Sequence, residues 1–284
     1  MKSFDFIGKK KIFFIISAVV LVVGILSIAI RGFNWGTDFK GGTSITLDTG
    51  SASVSASEVE SLAKEYLQAK EVSVQSYDSG YMITCSSVSA EVVESFFDAM
   101  SEQYGINTED SSYSDISASV SSSLRNSAIL STVIVVILML VYITIRFELL
   151  SGVAAVICLV HDLFVMTAVY SLFQIPMNSK LIAVYLTILG YSINATIVVF
   201  DRVRENRKLY PKKSFDENVN NAINQTFTRS LNTTITTLLT IGMIYILGVT
   251  SIREFALPLI IGIVSGLYSS VCLSGALWST FKKK

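Results

Sequence analysis

Six long apolar runs constrain this chain more than any other feature of it. A helix needs roughly 20 mostly apolar residues to cross the hydrocarbon core of a bilayer. Runs of that order lie at residues 12–30, 126–145, 150–173, 181–200, 227–249 and 255–281. Only 15% of the residues are charged and 51% are hydrophobic, whereas soluble domains carry about 25% charged residues. The expected fold class is a polytopic α-helical membrane protein with six transmembrane helices. Lys plus Arg equals Asp plus Glu at 22 each, which argues against a basic nucleic-acid binder.

The runs divide the chain. Residues 1–30 hold a short terminus and the first span. Residues 31–125 form a polar domain. Residues 126–284 hold five further spans, with a charged loop at 201–228. Basic residues orient the whole. With the N-terminus in the cytoplasm, 15 of the 22 Lys and Arg residues fall inside and 7 outside. The expectation is a multi-pass protein of the bacterial cytoplasmic membrane with both termini cytoplasmic and 31–125 extracytoplasmic. That outer segment carries 14 acidic against 5 basic residues, so the positive charge sits where it can meet anionic lipid of the bilayer. Ordinary solubility and insertion signals explain much of the same pattern. Lys9-Lys10-Lys11 ahead of the first run reads as an uncleaved signal anchor, because the run is too long for a signal peptide and no cleavage site follows. Cys85 is the lone cysteine of the outer segment, so no disulfide can form within it and no metal site is expected.

Within 31–125, residues 43–47 alternate as a strand, and 57–67 show helical spacing opened by Ser57 with Glu60 three residues on. Residues 72–77 and 81–85 flank Asp78-Ser79-Gly80 as a hairpin. A second helix over 88–104 ends at Gly105, and a weaker strand falls near 106–113. The order β-α-β-β-α-β is the ferredoxin-like arrangement of a small α+β domain. Asp38-Phe39-Lys40-Gly41-Gly42 reads as a turn into the first strand.

Ionisable groups at membrane depth are costly and are functional candidates by default. His161 and Asp162 lie near the middle of the third run. Adjacent residues diverge by about 100° on a helix, so the partner of Asp162 is expected from another span. In the fifth run Arg229, Asn232, Thr233, Thr236 and Thr240 recur at helical spacing, and the stripe is expected to face the bundle interior. Interhelical hydrogen bonding accounts for it about as well as an ion path. Gly262, Gly266 and Ser270 read as a packing face. The fourth run holds the polar patch 190–196 and continues into Asp201-Arg202-Val203-Arg204-Glu205-Asn206-Arg207, a helix that Pro211 would end.

Taken in order, Gly36-Thr37-Asp38-Phe39-Lys40-Gly41-Gly42-Thr43, His161-Asp162, Gly190 to Asn194 running on to Phe200-Asp201-Arg202-Val203-Arg204-Glu205-Asn206, and Arg229-Ser230 with its Thr-rich stripe are similar to the SecF family. SecF proteins are membrane subunits of bacterial protein export, related to the resistance-nodulation-division transporters. The resemblance covers nearly the whole chain. It implies an accessory, non-enzymatic subunit without cofactors that acts with SecD beside the SecYEG channel. Such a subunit promotes the export of preproteins with the proton motive force and ectodomain motion. It also marks Asp162, His161, Asn194, Ala195, Thr196, Arg229 and Thr233 as ion-coupling candidates.

Two departures stand out. The family pattern Asn-Asp-Thr in the fourth span is here Asn194-Ala195-Thr196, so the implied proton carrier opposite Arg229 is missing. The Val-Gly-Pro that often precedes the second span is here Ile116-Ser117-Ala118. The first departure keeps two other readings open: an assembly or stabilising subunit without ion coupling, and an independent small-molecule or ion exporter. The latter fits poorly, because related exporters use two six-span units.

Overall fold

A computed structural model describes residues 4–50, 52–77, 79–248 and 250–282. Lys2, Asp78, Val249, Lys283 and Lys284, which enter the sequence reading, lie outside the described residues. Among the described residues six helices are long and apolar enough to span a membrane. They are α1 (Lys10–Arg31), α5 (Ala118–Arg146), α6 (Leu149–Leu172), α7 (Lys180–Leu209), α8 (Phe215–Leu247) and a last helix, most of which is α9 (Thr250–Tyr268). That last helix passes through a π-helical segment, Ser269–Ser274, into α10 (Gly275–Lys282). Helices α6, α7 and α9 make the buried middle, while α1 and α5 expose most of their surface. Small residues let α1 lie close on α6: a Cβ at Gly24 would meet Ala168 and Phe164, and Ser27 hydrogen-bonds Ser171 at 3.1 Å.

Between α1 and α5 the chain builds the short α2 (Thr37–Lys40), β1 (Gly42–Asp48), α3 (Ala56–Leu67), β2 (Ser73–Tyr77), β3 (Gly80–Cys85), α4 (Ala90–Tyr104) and β4 (Ser112–Ile116). The strands pair in the order β2-β3-β1-β4, antiparallel throughout, with Ile45 opposite Ile83 and Tyr113. This is the split β-α-β topology read from the sequence. Ile45, Leu47 and Ile83 point to α3 and α4 and are buried with Val59, Val93 and Phe96. The opposite face presents Ser44, Thr46, Gln75 and Thr84 to a cleft of about 420 Å³ above the helical body.

Three local expectations shift. The capping box of α3 is Ser55 with Glu58, not Ser57 with Glu60. Both pairs have the right spacing, but a cap at Ser55 places Val54 and Val59 at the two staple positions, and both are buried in one core. The last strand is Ser112–Ile116 rather than 106–113, because Ile106 is spent as a core anchor directly after Gly105. The stretch 201–228 is not a loop. Helix α7 runs to Leu209 and α8 starts at Phe215, with a second capping box, Ser214 with Glu217, opening α8. Helix α7 therefore ends just before Pro211, as read from the sequence.

The two ends of the chain meet at the face where α7 and α8 join. The Phe4 and Phe6 backbones are held by Asn220 and Asn224, and Lys10 Nζ donates to Thr280 at 3.1 Å.

Candidate functional site

Three groups of residues singled out by sequence fall in three places. The stretch Gly36–Thr43 lies where α1 gives way to the sheet. Gly36 N–H donates to the Met177 carbonyl at 2.9 Å and Met177 N–H to that of Asn34 at 2.8 Å. Asp38 accepts from the Ser179 N–H at 2.6 Å, and Phe39 is buried among Met166, Tyr170 and Met177. Among the described residues Lys40 reaches only an exposed Glu71, at 3.8 Å. Gly41 and Gly42 have φ of +82° and +120°, and a Cβ on Gly42 would run into the Cys85 carbonyl. Buried Thr43 donates to Asp115 at 2.8 Å and accepts from Val88 N–H at 3.0 Å. The motif is more than a turn. It ties the first strand to α1 and to the α6–α7 connection.

The second group borders the far face. Asp201 pairs with Arg146 at 3.2 Å. Arg202 reaches Glu205 and Gln225, both at 2.6 Å. Arg204 donates to the Arg146 carbonyl at 3.4 Å, and buried Asn206 donates to Gln225 at 3.0 Å. These contacts fasten α7 to α5 and α8. Glu148, which sequence reasoning passed over, receives Arg207 at 2.7 Å and Lys282 at 2.8 Å. Burial pushes its carboxyl up, but the hydrogen bonds and charges of Lys282 and Arg207 outweigh that and hold it below its ordinary value. No local pattern announces Glu148, since its partners come from two remote helix ends.

The third group occupies the bundle. Asp162 is 1% exposed. Its Oδ1 accepts from Ser265 at 2.6 Å, and its Oδ2 from Ser192 and Ser269, each at 2.6 Å. The expected partners from other spans are therefore serines. Contrary to expectation, neighbouring His161 also reaches it: Nδ1 lies 3.1 Å from Oδ1. The His161 ring stands 6.1 Å from that of Tyr268, whose hydroxyl donates to the Phe13 carbonyl on α1. Gly266 lets α9 approach Ser192 closely, since a Cβ there would lie 3.3 Å from that of Ser192.

Asn194, Ala195 and Arg229 are not part of this cluster. Thr196 is buried, Ala195 is half-buried, and Asn194 and Arg229 are exposed. The α8 stripe turns out to face away from the bundle. Arg229, Asn232, Thr233, Thr236 and Thr240 are exposed, while Thr226, Ser230 and Thr234 face inward. The outward threonines escape the penalty that motivated the inward expectation, because Thr233, Thr236 and Thr240 donate to carbonyls one turn back on their own helix. Arg229 has no such outlet. Its guanidinium has no partner among the described residues, and it lines a cleft of about 470 Å³ with Arg146, Asp201, Arg202 and Glu205.

Two family models match. One, described as protein export membrane protein SecD/SecF, C-terminal, covers residues 96–284. The other, the SecD/SecF GG motif, covers residues 26–52. The chain is 35% identical to the protein translocase subunit SecF of Petrotoga mobilis, across 98% of this chain and 95% of that one. It is 32% identical to the protein translocase subunit SecDF of Bacillus subtilis, covering 99% of this chain and 38% of the relative. A crystal structure of SecDF from Thermus thermophilus superposes with a TM-score of 0.91 at 30% identity, over 99% of this chain and 39% of that chain.

Proposed function

The chain belongs to the SecD/SecF family of protein-export membrane proteins and is an accessory subunit of the Sec translocase, and from that premise we propose that it couples an ion gradient to export in company with SecD. Its relatives are named as translocase subunits, a transport role rather than a catalytic one. In SecDF relatives a segment matching this chain makes up about two-fifths of one polypeptide. That arrangement favours SecD as the neighbour of the α8 face. The exposed Arg229 stripe suits such a neighbour better than lipid, because an arginine at membrane depth needs a counter-charge or a polar partner.

The observation that carries ion coupling is the buried carboxylate of Asp162, which joins α6 at mid-span to α7 and the last helix. A change in its charge state would alter what holds α6, α7 and α9 together. In this reading both chain ends are cytoplasmic, and the sheet domain stands outside, near preproteins leaving the SecYEG channel. The lack of an Asp at 195 favours Asp162 over the fourth-span position as the group that changes charge. The test is preprotein export in cells depleted of their own subunit and supplied with wild type or Asp162→Asn. Export that is gradient-stimulated with wild type and not with Asp162→Asn is the expected result. Equal stimulation of both would leave an assembly role. Co-purification with SecD distinguishes either role from an independent exporter.

A further inference from the structure

Helix α5 starts at Ala118, but its apolar run starts only near residue 126. Arg125 therefore stands where the polar first turns of the helix give way to the membrane span. Its side chain is exposed, and the guanidinium has no partner among the described residues. A guanidinium is a fixed positive charge with five donors in a planar fork, the geometry that matches a phosphate. At the level of the lipid headgroups it calls for an anion.

Next to Arg125, further into the span, lies a groove of about 350 Å³. Its walls are Phe33 and Trp35 from the α1–β1 connection, Ala128 and Val133 from α5, and Met177 and Tyr185 from the α6–α7 connection and α7. The few polar groups in these walls are already spent. Thr132 donates to the Ala128 carbonyl at 2.9 Å, Thr167 donates to the Leu163 carbonyl at 2.7 Å, and the Tyr185 hydroxyl bonds Thr167. The groove thus offers an apolar body with one cationic end, and it suits a ligand with an apolar body and an anionic end.

Length and volume separate the possible occupants. From Arg125 to Val133 is eight residues, about 12 Å along the helix at 1.5 Å per residue. A helix of that length, 10–12 Å across with its side chains, fills roughly 900 Å³. The groove holds far less, which leaves room for an extended chain. Ile129, Val133 and Ile137 are exposed on α5, so the apolar lip of the groove continues down the span as a bilayer-facing surface.

We propose that this groove binds an anionic phospholipid of the leaflet on the sheet-domain side, with one acyl chain lying between α5 and Tyr185 and the phosphate on Arg125. The site is independent of ion coupling. Its walls belong to the pieces that meet at the foot of the sheet. A bound lipid therefore braces the mounting that Met177 makes with Asn34 and Gly36.

The test uses Trp35 as reporter. The chain has two tryptophans. The other, Trp278, is buried against Phe200 and Phe215 with its Nε1 unbonded, so Trp278→Phe breaks no hydrogen bond. The full chain with Trp278→Phe is placed in phosphatidylcholine nanodiscs containing a small fraction of brominated phosphatidylglycerol or brominated phosphatidylcholine, whose chains quench tryptophan on contact. Phosphatidylglycerol should quench Trp35 at about fivefold lower fraction, the counterpart of about 1 kcal/mol for one basic residue at an anionic lipid. Arg125→Gln should remove that preference and Arg125→Lys should keep most of it. Ala128→Phe, which fills the groove, should cut quenching by both lipids. Equal quenching by the two lipids, or a preference that survives Arg125→Gln, overturns the proposal. Quenching untouched by Ala128→Phe places the chain outside the groove and overturns it too. The same measurement on the chain co-purified with SecD decides between occupants: quenching that persists upholds the lipid, and quenching that vanishes gives the groove to the partner and overturns it.

Discussion

The Tyr191 hydroxyl donates to Thr234 Oγ1 at 2.8 Å, and this bond marks the antiparallel register of α7 against α8. Arg202 with Gln225 continues the ladder toward the chain termini. Four residues on from Tyr191 and four back from Thr234 bring Ala195 level with Ser230, beside Arg229. The ladder places Ala195 and Arg229 at about the same depth. It does not bring them together inside the bundle, because Arg229 points outward. With an Asp at 195, the two would meet on the outward face.

That register yields a prediction for Ala195→Asp. The new carboxylate lies beside an unpaired guanidinium, so it should ionise and add a proton-linked site to the chain. Export should then acquire or strengthen a dependence on the pH gradient. Arg229→Ala should cost little in the parent and much in the Ala195→Asp background. Export measured in membrane vesicles with and without an imposed pH gradient checks both. An equal cost of Arg229→Ala in both backgrounds would dissociate the two positions.

Orientation can be checked by labelling. Ser57 on α3 and Lys208 at the end of α7 are exposed. An impermeant thiol reagent should modify Ser57→Cys in cells whose outer barrier has been opened and leave Lys208→Cys unmodified until the cytoplasmic membrane is breached. The opposite order would invert the topology.

Gly42 predicts a local effect. Its φ of +120° and the Cys85 carbonyl beside it leave no room for a methyl group. Gly42→Ala should lower the stability of the sheet by about 1–3 kcal/mol. Hydrogen exchange at the Ile45 and Ile83 amides should quicken accordingly, while amides of α6 and α7 keep their protection.

Glu148 predicts a pH effect. Its carboxyl is held below the ordinary value of 4.5 by Lys282 and Arg207, against the opposing push of burial. A depressed carboxyl stabilises the fold above its unfolded value, and that contribution is lost as pH falls through the folded one. The partly exposed pairs are worth on the order of 1 kcal/mol after solvent screening. Glu148→Gln should lower thermal stability at pH 7, and the gap from wild type should close on acidification below about pH 4.5. A gap that is constant across that range would make the loss one of packing.

Much of the architecture is legible in the sequence because it rests on local quantities. Run length places the six spans, and alternation with turn residues places the sheet. What escapes depends on register between distant segments. Ser192, Ser265 and Ser269 look like ordinary small residues of packed helices, and nothing local says that three hydroxyls converge on one carboxylate. The direction of the α8 stripe escapes the sequence for a related reason. Threonines that bond their own backbone can face an apolar surrounding, and spacing cannot distinguish them from threonines that need a partner. Helix ends also mislead where a cap extends a span: Ser117 starts α5 at Ala118, well before the apolar run begins.

The backbone bonds between Met177 and both Asn34 and Gly36 mount the sheet on the α6–α7 connection as an arm on a hub. A strand of seven residues reaches about 23 Å at roughly 3.3 Å per residue, so a tilt of about 10° at its base carries the far tip roughly 4 Å. Movements too small to break the packing between α6 and α7 would thus be geared up at the tips of the strands. The cleft beneath the sheet, about 420 Å³, would widen or narrow with any such tilt.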